Sequence, residues 1–143
     1  MHGQVLNADI ISLDITSVPA MVVGLATIVL GLGVTIRERA SSVGIRYLFF
    51  ATTIALYTFG AGVSYAAEPP ALALLWDRIA HTGVVAIPLA MVLSAQAILG
   101  HVGRYRPVIT GVGSTTIVLW VFLWFTDLLI KDVQEVFWGW YPD

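Results

Sequence analysis

From Ile79 to Leu99 the chain runs 21 residues without a formal charge. As a helix rising ~1.5 Å per residue it is about 31 Å long, enough to cross a ~30 Å hydrocarbon core. That makes the stretch a membrane-span candidate, and three more follow the same rule. Val18–Ile36 holds 19 uncharged residues and stops at Arg37, Glu38 and Arg39. Tyr47–Ala67 follows Arg46 and ends at Glu68, Pro69 and Pro70, where proline withholds an N–H and restricts the residue before it. Val108–Thr126 follows the basic turn Gly100–Pro107, and Asp127, Lys131, Asp132 and Glu135 mark its exit.

Composition agrees with a bilayer as solvent. The 143 residues are 58% hydrophobic and 11% charged, whereas about 25% charge is usual in a soluble domain. The net charge of −2 argues against nucleic acid as a partner. With no cysteine, thiol nucleophiles, disulfides and thiolate metal sites are excluded.

The fold expected is an all-α integral membrane protein. Four antiparallel transmembrane helices cover about 18–36, 47–67, 71–99 and 108–130, forming one bundle over 18–130. Only a few residues join the second and third, which therefore make a hairpin. Residues 1–17, with Asp9 and Asp14 and no basic n-region, are expected to be a retained external leader rather than a signal peptide. Over 131–143, Val133, Val136, Phe137 and Trp140 recur at i, i+3, i+4 and i+7. That spacing predicts a short external interfacial helix stopped by Gly139 and Pro142.

Cations set the orientation. Arg37, Arg39 and Arg46 precede the second span, and Arg104 and Arg106 precede the fourth; the opposite side has Lys131 and, at most, Arg78. By the positive-inside rule both basic loops are cytoplasmic and both termini external, in a bacterial inner membrane. The aromatic residues point the same way. Trp76, Trp124, Trp138 and Trp140 fall at the outer interface as anchors, and Tyr47 and Tyr105 at the inner one.

Small residues mark the helix-packing seams expected where no hydrophobic drive brings helices together. They are Gly24, Gly31 and Gly33 in the first span, and Ala51, Ala55, Gly62 and Ala66 in the second. In the third, Asp77, His81, Val84, Pro88 and Ala95 fall near one line of the helical wheel, a polar or small face expected to look at protein.

Asp77, Arg78, His81 and Pro88 are the ligand or packing candidates. Asp77 and His81 stand at i and i+4, so the carboxylate can orient the imidazole, and an ionisable group at membrane depth is a functional candidate by default. Two readings stay open: a structural histidine beside an ion pair, or a ligand- or proton-sensing site. Axial ligation of haem or a chlorophyll-type pigment by His81 is the minor alternative, and no cofactor or metal is predicted. Pro88 should kink the third span. His2 and His101 have no second ligand at metal spacing, and Gly111-x-Gly113 lacks the context of a phosphate loop. No convergent acid, base and nucleophile is present, so an enzyme is not expected.

The run from Arg46 to Gly100 resembles the second and third helices of the seven-transmembrane N-terminal sensor region of bacterial histidine kinases. In that family an external acidic or proline-bearing turn precedes an aromatic, a basic residue, a glycine and a kinking proline. Trp76, Arg78, Gly83 and Pro88 occupy those places. The later run FTDLLIKDVQEVFWGWYPD is similar to the family's external segment after helix four. The resemblance implies an N-out sensory or scaffolding bundle coupled to a cytoplasmic kinase or cyclase. The chain stops where a fifth helix would start and carries neither the phosphoacceptor box nor an ATP-binding region. A fragment of a longer protein and a half-module put to another use are both compatible with that.

The leading function is thus a non-catalytic membrane module acting through helix packing or ligand sensing. Its partners are lipid and other transmembrane helices, in a larger complex or a homo-oligomer. The rival is an accessory or structural subunit of a larger membrane complex, respiratory or photosynthetic. An isolated transporter ranks third, because no ion-pair-lined path or inverted repeat is evident.

Overall fold

The computed structural model describes residues 15–100, 105–126, 130, 133–136 and 139–142. It contains four helices, α1 (Ser17–Arg37), α2 (Ser42–Ala66), α3 (Pro70–Leu99) and α4 (Arg106–Phe125), followed by two short strands, β1 (Val133–Val136) and β2 (Gly139–Pro142). All four helices are long and apolar enough to cross a membrane. The expected leader (residues 1–14 of it), His2, His101, Arg104, Asp127, Lys131, Asp132, Phe137 and Trp138 lie outside the described residues.

Helix ends follow local chemistry. Ser41 caps α2, its hydroxyl accepting from Gly44 N at 3.1 Å. The cap starts α2 five residues before the expected Tyr47 and places Arg46 inside the helix, correcting its assignment to the loop. Pro70 opens α3, where its missing N–H costs nothing, while the Pro69 carbonyl accepts from Leu72 and Ala73. Gly100 closes α3 in the left-handed region at φ 69°. The fourth helix ends at Phe125 rather than near 130, because Thr126 turns extended (φ −137°, ψ 156°).

Neighbouring helices run in opposite directions, as the paired residues show. Ser17 and Met21 of α1 meet Gly62 near the end of α2, and Thr35 meets Gly44 near its start. Around the Pro69–Pro70 turn, Ser64 pairs with Ala73, Gly60 with Ala80 and Arg46 with Leu93. Among the described residues, helices touch only their neighbours in sequence. The four therefore form an open row, α1-α2-α3-α4, rather than a closed bundle.

The interior is made mostly of small side chains, with Val63, Leu123 and Ile130 as the larger buried apolar groups. Ala51, Ala55, Ala66, Ala73, Ala80 and Ala90 are buried, whereas Leu25, Val29, Leu30, Ile117 and Phe125 are exposed. Large apolar groups outside and alanine inside is the arrangement of helices that approach closely in lipid. The expected stripes are corrected in two places. Gly33 has no atom within 4 Å of where a side chain would start, so only Gly24 and Gly31 serve the α1–α2 seam. On α3, Val84, Pro88 and Ala95 are exposed; the face against α2 is Ala73, Ala80, Gly83 and Ala90, with Asp77 shared between the two readings. Closeness of backbone approach decided the packing face, and polarity did not.

The expected interfacial helix over 131–143 is instead an antiparallel hairpin, pairing Val133 with Pro142 and Val136 with Gly139. Two helical turns are too short to stand alone in water. Valine, tryptophan and tyrosine favour strands, and Pro142 sits at a strand end where no N–H is required. β2 lies against α2 and α3, and β1 against α3.

Candidate functional site

The α2–α3 seam positions the site. At Gly83 an added Cβ would run into the Thr53 carbonyl oxygen, with Tyr57 N 3.0 Å away. At Gly60 it would lie 3.0 Å from Ala80 Cβ. Backbones this close hold α3 against α2 at the depth of Asp77 and His81. Ser64 Oγ donates to the Ala73 carbonyl at 3.0 Å, and Phe59 meets Trp76 edge-on, ring centres 6.2 Å apart.

Asp77 is 5% exposed. His81, half-buried one turn on, brings Nδ1 to 2.9 Å from the Asp77 carbonyl oxygen and 3.3 Å from Oδ2. One ring proton cannot serve both well, so the carbonyl takes the hydrogen bond and Oδ2 lies beside the ring, an ion pair only when the imidazole is protonated. Oδ2 is buried and has no hydrogen-bond donor among the described residues. A carboxylate so placed is costly unless a cation or a proton joins it. Arg78 is half-buried beside it, and its carbonyl accepts from Thr82 Oγ1 at 3.0 Å.

Thr82 then links α3 to α4. Its hydroxyl oxygen accepts from Trp124 Nε1 at 3.0 Å, and Trp120 stacks obliquely on Trp124 at 6.4 Å. Trp124, expected as an interfacial anchor, is a cross-helix donor in the structure. Trp76 is half-buried against Phe59, and Trp140 lies in β2. Pro88 is not part of this cluster. It is exposed, about 10 Å beyond His81 along α3, and lines a cleft against α4. Among the described residues no group of three or more metal-ligating side chains forms.

At the other end of the seam is a polar clasp that the sequence reading missed. Arg46 Nη1 donates to the Leu93 carbonyl at 3.1 Å and to Gln96 Oε1 at 2.9 Å, and Ser94 Oγ donates to the Arg46 carbonyl at 3.2 Å. A signal was available. Arg46 stands 23 positions before Pro69 and Leu93 stands 23 after Pro70, so a hairpin turning at the two prolines puts them level.

The chain matches the family described as the N-terminal 7TM region of histidine kinase over residues 19–140. It belongs to that family. The match begins in α1, well before the resemblance starting at Arg46, and ends inside β2. Neither a curated protein nor a solved structure matches the chain. A 7TM region of a histidine kinase is a membrane sensor-like module, and this member supplies four candidate spans with Asp77, His81 and Thr82 on its third.

Proposed function

We propose that this 7TM-region member is a non-catalytic sensor of the bacterial inner membrane, in which α3 carries a change at its Asp77 end across to α4. The Thr82–Trp124 hydrogen bond carries this reading, because it begins one residue after His81 and ends on a different helix. The tight α2–α3 seam and the Arg46 clasp leave α3 little freedom against α2, so α4 is the partner free to respond. Buried Asp77 Oδ2 is the group that a cation, or a ligand bearing a donor, meets at that end. In this reading the Asp77 end is external and the arginine-bearing turns cytoplasmic, as the asymmetry of cations supports. No cofactor enters it.

Spin labels at the exposed positions Val84 and Val118, one on each helix, test the relay through their separation in lipid. Asp77→Asn should shift the distance distribution. Trp124→Phe, which keeps the ring and loses the donor, should abolish that shift. An Asp77→Asn distribution identical to that of the unchanged protein would overturn the proposal, and reporter tags placing the Ser41 turn outside would overturn the orientation.

A further inference from the structure

Asp77 and His81 differ in what can reach them. The Asp77 side chain is 8% exposed, and its Oδ2 is sealed inside the protein without a hydrogen-bond donor among the described residues. The His81 side chain is 33% exposed, and its Nδ1 stands 3.3 Å from that oxygen. A hydrated cation or an organic ligand meets Oδ2 only if helices part, and the close contacts at Gly60 and Gly83 hold α2 and α3 together at this depth. A proton needs no such opening. An imidazole takes one up at one ring nitrogen and presents one at the other, so the exposed ring is a port to the sealed carboxylate.

The surroundings leave the pair to itself. Neighbours i and i+1 do not face each other on a helix, so Arg78 leaves Oδ2 to His81. α2 holds no carboxylate and no histidine; its phenols are Tyr57, whose backbone N lies beside Gly83, and Tyr65, and its one charge, Arg46, is bonded at the opposite end of the seam. α4 is uncharged from Pro107 to Phe125. The strands bring Glu135 on β1 and Tyr141 on β2, and Glu68 stands exposed before the Pro69–Pro70 turn.

We propose that the ligand of the Asp77 end is a proton, held by Asp77 and His81 as one titrating pair. Without it the pair is a carboxylate beside a neutral imidazole and carries one negative charge in a setting where an isolated charge is costly. One proton from water makes the pair neutral overall, either as carboxylate against imidazolium or as a carboxyl donating to Nδ1. Both forms give Oδ2 the partner it lacks. The output rests on the relay proposed above, since the pair ends one residue from the Thr82 hydroxyl that Trp124 Nε1 reaches, whereas the proton binding does not.

The test uses the full chain in lipid vesicles, with isotope labels on the aspartate carboxyls and the histidine rings read by magnetic resonance. From about pH 8 to 5, the range in which imidazoles change charge, the Asp77 carboxyl and the His81 ring should titrate with a shared midpoint. The separation of spin labels at Val84 and Val118 should move with them. Asp77→Asn should fix that separation at its low-pH value, and His81→Gln should make it independent of pH. A thermal melt of each variant shows that it has folded, and His81→Gln, at the more exposed position, carries the test if Asp77→Asn does not fold. Glu68→Gln, Glu135→Gln and Asp127→Asn should leave the pH response in place. Separate midpoints, no titration of either group, or a response that survives in folded His81→Gln would overturn the proposal. So would sodium moving the Asp77 carboxyl signal at constant pH, which assigns the site to a metal cation. A shared midpoint with no movement of α4 keeps the proton and overturns the relay, and an Asp77→Asn displacement without any titration does the reverse.

Discussion

At the α2–α3 seam an added Cβ on Gly60 meets Ala80 at 3.0 to 3.2 Å, whereas on Gly113, at the α3–α4 seam, its nearest neighbour is Leu89 Cδ1 at 3.8 Å. One helix therefore has a rigid side and a loose side. The rigid side is built from alanine and glycine and tied at both ends by Ser64 and Arg46. The loose side is crossed by hydrogen bonds from Thr116 and Trp124, and it has a cleft where glycines would have allowed contact. Small residues permit close approach without enforcing it. The same amino acid marks a seam in α3 and a gap in α4.

Substitutions can break this contrast, beginning with Gly83→Leu. It drives a side chain into the α2 backbone and should cost about 3 kcal/mol, the upper end for overpacking, read as unfolding in mixed micelles. His81→Ala should lose less, and a larger loss there would show that the imidazole rather than the glycine sets the seam. Next comes Arg46→Leu, which removes the donor to Leu93 and Gln96 and should cost roughly 1–2 kcal/mol. The same unfolding assay reads it, and no loss would mean that the clasp is ornamental to the seam.

On the loose side the effects shrink. Trp124→Phe should cost ~0.6 kcal/mol, the usual worth of a hydrogen bond between membrane helices. A double-mutant cycle with Thr82→Val checks that the loss belongs to the pair. Gly111→Leu should fall within about 0.5 kcal/mol of the unchanged protein. A loss as large as that of Gly83→Leu would mean that α4 packs as tightly as α2 and that the contrast is false.

Much of this was readable beforehand, and each failure has its own physical cause. The uncharged runs located all four helices within a few residues, and the Glu68-Pro69-Pro70 step located the hairpin. Gly83 and the Asp77–His81 pair were also marked. The inward face of α3 was misread, since the stripe through Val84, Pro88 and Ala95 is exposed. On a helix apolar all round, neither face is penalised by lipid, and the pattern that identifies a buried side in water is absent. Arg46 was read as a topology signal alone, because the Ser41 cap that draws it into α2 is a local feature weaker than the span pattern. Over 131–143, four residues fitted the helical period by chance of spacing, while strand propensity decided the backbone. The α3–α4 cleft had no signature at all: it is defined by distance between elements, which only coordinates supply.

The double-sided packing of α2 has a consequence for biogenesis. It is the least apolar of the four spans and the most buried, with Arg46, Thr52, Thr53, Thr58 and Ser64 along its length. As a nascent segment leaving the translocon it has only α1 to shelter those groups until α3 emerges. Its residence in the lipid therefore depends on synthesis of the next hairpin arm, and damage to α3 would surface first as an insertion error of its predecessor.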